Sequence, residues 1–101
     1  MLDLKPDYLS TIKQILSHRL HDERVYIFGS RVDGRAKPHS DIDLIIESSL
    51  PLPETLILSL RNDFEDSDLP LRVDILDGAQ LTPSFRAIVD ANKVELQYAN
   101  P

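Results

Sequence analysis

Cysteine is absent from this chain of 101 residues. Disulfides, thiolate metal centres and cysteine nucleophiles are therefore excluded. No apolar run approaches the length that spans a bilayer, and residues 1–7 lack the basic start and apolar core of a secretory signal. A cytoplasmic protein without membrane association is expected. Positive charge is also scarce, with 11 Lys and Arg against 17 Asp and Glu, a formal net charge of −6. Binding to long nucleic acid is driven largely by basic side chains that displace counterions, so polymerase-type work on duplex DNA is disfavoured. The chain has no internal repeat and no low-complexity tract. Its length and 42% hydrophobic content support one core, and a single domain over residues 1–101 is expected.

What the chain does contain is a spacing. Gly29-Ser30 follows the apolar run Val25-Tyr26-Ile27-Phe28, and Asp41-Ile42-Asp43 then opens a second run, Leu44-Ile45-Ile46. A strand alternates its faces, so Asp41 and Asp43 project from one side and Ile42 and Leu44 from the other. Two neighbouring carboxylates repel, which raises the proton affinity of one of them unless a cation lies between, and hard oxygen ligands suit Mg²⁺. A third acid stands in Leu71-Arg72-Val73-Asp74-Ile75-Leu76, where a strand would bury Val73 and Ile75 and turn Asp74 the other way. An acid among Val, Ile and Leu costs free energy to bury unless it is paired or metal-bound. Asp74 is a third ligand if its strand pairs with the one carrying Asp43. A Gly-Ser pair alone is a plain turn. At this distance from Asp41-x-Asp43 it reads instead as an anion cradle, with free N–H groups at a helix start and the Ser30 hydroxyl as donors. The pattern is that of a metal-dependent nucleotidyl transfer site.

Together, Gly29-Ser30, Arg31-Val32-Asp33-Gly34, Ser40-Asp41-Ile42-Asp43-Leu44 and the Ser67-Asp68-Leu69-Pro70 run leading into Val73-Asp74 resemble the DNA polymerase beta-like nucleotidyltransferase superfamily. Within it the closest likeness is to the minimal nucleotidyltransferase family, the antitoxins of HEPN/MNT pairs, and it covers nearly the whole chain. The resemblance implies an α/β (α+β) nucleotidyltransferase fold with a mixed sheet. It also implies two Mg²⁺ ions, with Asp41 and Asp43 bridging both and Asp74 on the ion that meets the attacking oxygen. Catalysis and metal binding are thus assigned to Asp41, Asp43 and Asp74. Gly29 and Ser30 would hold the β and γ phosphates of ATP, with Arg31 beside them as a further nucleotide-binding residue. The implied partner is a helical HEPN-domain protein, and the implied reaction is transfer of AMP to a hydroxyl, a tyrosine of that toxin. Two alternatives remain open at this point. One is a non-enzymatic antitoxin that caps its partner. The other is a catalytic subunit acting on a small-molecule hydroxyl with a helical substrate-binding partner. No residue has an evident duty toward the nucleotide base.

The rest of the chain supplies scaffolding. Leu9, Ile12, Leu16 and Leu20 recur at helical spacing after Asp7, a candidate N-cap, and His18 and His21 near the helix end read as surface residues. A short helix is expected from Ser30 to about Gly34. Pro51 and Pro53 precede a helix over residues 54–64 whose Leu56, Ile57, Leu58 and Leu60 cover more than one face, so it either is buried or meets a partner chain. The basic stretch containing Arg31, Arg35, Lys37 and His39 either screens triphosphate charge or is a solvated connection. Thr82-Pro83 caps a third long helix with Phe85, Ile88 and Val89 on one face, and residues 94–98 alternate as a final strand. The sum is a sheet of about four strands with helices packed on one side.

Overall fold

Pro6 occupies the first turn of helix α1 (Pro6–Arg19), where its missing N–H is not needed, and Lys5 rather than Asp7 is the capping residue. Asp7 lies inside that turn, where its charge still favours the helix dipole. The computed structural model describes residues 2–98, so the expected domain of residues 1–101 runs past the described part at both ends. The elements that follow are β1 (Arg24–Phe28), α2 (Ser30–Asp33), β2 (Ile42–Glu47), α3 (Glu54–Glu65), β3 (Val73–Asp77), a 3₁₀ turn at Gly78–Gln80, α4 (Pro83–Asn92) and β4 (Val94–Leu96). Gly34, in the left-handed conformation, ends α2 as a side chain would not comfortably do.

The four strands form one mixed sheet in the order β3-β2-β1-β4. Strand β1 pairs antiparallel with both β2 and β4, whereas β2 and β3 run parallel, α3 lying between them in sequence. Alternation along the strands then sorts the residues. Val25 and Ile27, Ile42, Leu44 and Ile46, Ile75 and Leu96 join Ile12, Leu16, Leu60 and Phe64 of α1 and α3 in the main core. Burial of such side chains contributes about 1.5–3 kcal/mol each before the entropy of ordering is subtracted.

The expectation that all helices pack on one side is corrected. Helix α4 lies on the opposite face, where Val89 and Phe85 meet Phe28, Ile45, Tyr26 and Leu76 in a second, smaller cluster. Two apolar faces on one sheet require two covers, and α4 is the second. Its Ile88, expected beside Val89, is instead 63% exposed, because the covered stripe is narrow. Helix α3 resolves its open alternative largely toward burial. Leu60 and Phe64 are buried and Leu56 and Ile57 pack against the core, leaving Leu58 exposed. The last strand is shorter than expected and stops at Leu96. Tyr98, beyond it, donates its hydroxyl to the Glu23 carbonyl at 2.6 Å.

Candidate active site

Asp43 stands at the centre of the carboxylate group because of register. It pairs with Phe28 of β1 on one side and with Asp74 of β3 on the other. In a parallel pair, residues in register share a face, so Asp43 and Asp74 project side by side on the α4 side of the sheet. Asp41 lies just before β2 begins at Ile42. Partial burial pushes the Asp43 carboxyl above the usual aspartate range, and the nearby charges of Asp74 and then Asp41 push it the same way. Asp43 thus lies in the field of both other acids. Among the described residues, no three His, Asp or Glu side chains are gathered into a ready-made metal cage. The three aspartates make an open group whose repulsion a divalent cation would relieve, and their oxygens are the hard donors such a cation prefers. The residues therefore fit Mg²⁺.

Asp74 sits on the outer strand with its side chain 39% exposed and forms an ion pair with Arg72, Nη2 to Oδ1 at 3.1 Å. The exposure leaves it open to an approaching group, and so exposed an ion pair is cheap to break.

Gly29 is required twice over. Its φ of 87° is a conformation that other residues rarely adopt, and a Cβ on it would lie 2.6 Å from Asp43 Oδ2. Backbone and carboxylate are in direct approach. The Val32 and Asp33 amides both donate to the Gly29 carbonyl, closing the turn into α2. The Gly29 N–H, however, donates to Asn92 Oδ1 at 2.6 Å and so is engaged within the protein. The donors left to an anion at this turn are the Ser30 hydroxyl and the first amides of α2.

Arg31 departs from its expected place. It is only 7% exposed, and its guanidinium donates to the carbonyls of Ser40 at 2.9 Å, Pro38 at 3.3 Å and Asp3 at 3.3 Å. The side chain is thus engaged with the protein's own backbone. Its position next to Ser30 in sequence suggested a ligand, and nothing in the sequence signalled its burial.

Asn92 was missed altogether, being at the end of α4 and far from the motif in sequence. Also missed was a charged cluster at the opposite end of the same sheet face. Glu47 accepts from Arg86 Nη1 at 2.6 Å and from Lys93 Nζ at 3.1 Å, and Lys93 also pairs with Asp90 at 2.9 Å. The Lys93 ammonium lies 4.3 Å from the centre of the Tyr26 ring. Burial alone would raise the Glu47 carboxyl, but the Arg86 and Lys93 bonds outweigh it and hold the carboxyl below the usual glutamate range. This cluster fastens both ends of α4 to β2, and α4 in turn presents Asn92 to Gly29.

The family model described as "Nucleotidyltransferase domain" matches residues 9–97. The probable protein adenylyltransferase MntA of Haemophilus influenzae is 44% identical over 96 residues, covering 95% of this chain and 84% of that protein. Two solved structures share the fold. A toxin-antitoxin complex with AMP-PNP aligns with a TM-score of 0.74 at 22% identity, covering 91% of this chain and 74% of that one. A tri-AMPylated Shewanella oneidensis HEPN toxin in complex with its MNT antitoxin aligns with a TM-score of 0.71 at 18% identity, covering 95% and 74%.

Proposed function

The chain belongs to the nucleotidyltransferase domain family, and from that premise we propose that it transfers AMP from ATP to a tyrosine hydroxyl of a helical HEPN-type toxin, as the antitoxin of that pair. The observation that carries the reading is the side-by-side pairing of Asp43 and Asp74 beside the Gly29 turn. The relative at 44% identity bears the name of a protein adenylyltransferase, and a structure of the same fold contains an AMPylated HEPN toxin, both of which support the choice of acceptor. We place the activity in one domain, residues 1–101, acting in the cytoplasm. Among the described residues, no helix is long and apolar enough to cross a membrane.

In this reading Ser30 and the first amides of α2 hold the triphosphate tail, and Gly29 supplies the clearance that lets the turn approach Asp43. The acceptor hydroxyl approaches from the open edge of the sheet, where Asp74 takes its proton. The acceptor oxygen forms a bond to the α-phosphorus as the bond to the bridging oxygen breaks, releasing pyrophosphate. Asp41 and Asp43, with Asp74, would hold two Mg²⁺ ions. Bound there, the ions supply charge neutralisation for the attacking and leaving oxygens. The protein's own contribution is alignment, with the phosphate tail fixed on one side of Asp43 and the acceptor on the other.

A non-enzymatic antitoxin would have little reason to half-bury Asp43 between two like charges, which opposes folding when no cation is bound. The test is incubation with a cognate helical HEPN-type protein, ATP and Mg²⁺, followed by intact-mass measurement. A gain of one or more AMP units is expected, and Asp43→Ala abolishes it. An unmodified authentic partner, or toxin neutralisation that survives replacement of all three aspartates by alanine, overturns the proposal.

A further inference from the structure

Arg31 presents an unusual situation. It is buried, no carboxylate pairs with it among the described residues, and its Nε is a buried donor without a partner. Burying an unpaired guanidinium costs several kcal/mol in general, and an apolar residue of similar volume would fill the space more cheaply. Such a residue is retained for something the charge and the forked donor set do. All three of its acceptors are backbone carbonyls from two segments that are otherwise irregular.

The shortest of these bonds goes to the Ser40 carbonyl, which belongs to the same peptide unit as the Asp41 nitrogen. That peptide unit sets the direction in which Asp41 leaves the chain. A second bond fixes Pro38, inside the turn that Ser40 closes with Lys37. In that turn the Ser40 N–H donates to the Lys37 carbonyl at 3.0 Å, and the Lys37 N–H donates to Ser40 Oγ at 2.8 Å. On the other flank the Asp3 N–H donates to the Arg31 carbonyl at 2.7 Å while Arg31 Nη1 returns a bond to the Asp3 carbonyl. Arg31 also follows Ser30 directly, so its backbone is part of the turn that opens α2.

We infer that Arg31 is a positioning residue that locks the Ser40–Asp41 peptide to the Ser30 turn, so that Asp41 is held at a fixed reach from the phosphate-binding end of the site. It acts through backbone, without touching nucleotide. The inference rests on the transferase reading for its consequence, but the clamp itself exists or fails independently of any activity. Lysine keeps the charge and cannot reproduce a fork onto three carbonyls.

The experiment compares the full-length wild type with Arg31→Lys and Arg31→Gln. Amide hydrogen exchange over residues 37–41 is expected to accelerate by roughly tenfold or more in both variants, while exchange in β1 and β2 is retained. Half-saturation by Mn²⁺, followed by its effect on bound nucleotide and on kcat, is expected to shift by about 10–100-fold, as for other groups that orient metal ligands. Binding of AMP-PNP without divalent cation, and KM for ATP at saturating cation, are expected to stay within about twofold. Tenfold weaker cation-free AMP-PNP binding with unchanged exchange at 37–41 would make Arg31 a nucleotide ligand and overturn the inference. Should both variants fold poorly, the wild type decides. ¹⁵N signals of the Arg31 guanidinium should hold their slow exchange and shift little when AMP-PNP is added, and a large perturbation there refutes the clamp. If the clamp signatures are found and no AMP transfer occurs, the proposed function fails and the inference about Arg31 stands.

Discussion

Along β2, Ile42, Leu44 and Ile46 are wholly buried against α1 and α3, whereas Asp43 and Glu47 on the other face keep charged neighbours and some water. The same six residues therefore serve two purposes by alternation alone. One face is a continuous apolar core that stabilises the sheet. The other carries a small apolar cluster at its centre, a neutralised charge network toward Glu47 and an un-neutralised acidic group toward Asp43 and Asp74. The difference lies in the cations. Arg86 and Lys93 balance Glu47, and among the described residues only an exposed Arg72 pairs with the acidic group. Stability is concentrated where charge is absent or balanced, and the unbalanced end is the one to which we assign the proposed chemistry.

The comparison breaks most sharply at Asp43. Asp43→Asn removes a donor and relieves repulsion, so transfer should fall on the order of a thousandfold, equivalent to about 4 kcal/mol of barrier, while the melting temperature without divalent cations holds or rises. A clear loss of stability would mean that the acid is structural. Leu44→Ala, one residue away on the covered face, should do the reverse. About 2–5 kcal/mol of stability is lost in denaturant titration, with activity per folded molecule preserved. Gly29→Ala tests the border between the faces. Its backbone angle and the 2.6 Å approach to Asp43 Oδ2 predict about 1–3 kcal/mol of strain and a measurable drop in kcat together. The smallest effect belongs to Glu47→Gln. Because the Glu47 carboxyl is held low in the folded state, its stabilisation is present at neutral pH and fades as pH falls through the ordinary glutamate range to the lower folded value. Thermal melts of wild type and variant should therefore converge in acid. A gap that persists there would show that packing, rather than charge, makes the difference.

Much of this was readable from residue order. Period-two alternation placed Asp43 and Asp74 on the faces opposite Leu44 and Ile75, because alternation is a property of the strand itself. The Gly29 turn and the Thr82 cap were likewise local, the latter now seen as the Phe85 N–H donating to Thr82 Oγ1 at 3.3 Å. Pro6 at the helix start was a legible signal that Asp7 obscured. What sequence did not yield depended on distant pairing. Nothing in Phe85 and Val89 says which side of a sheet they will cover, since both faces offered apolar residues. Asn92 carries no mark of its bond to Gly29, and Arg31 beside Ser30 carries none of its burial among carbonyls. Strand order and the parallel partnership of β2 with β3 came from the structure, the resemblance having implied only a mixed sheet, since spacing is silent on both.

The parallel partnership has a further consequence for when the protein becomes competent. Asp74 reaches Asp43 only after α3 and its flanking loops have been synthesised and β3 has annealed to a strand made well before it, a non-local and comparatively slow event in folding. A slip of one residue in that annealing would send Asp74 to the covered face. On the proposed mechanism a nascent or mis-annealed chain would be chemically silent, and activity would be a signature of a finished molecule.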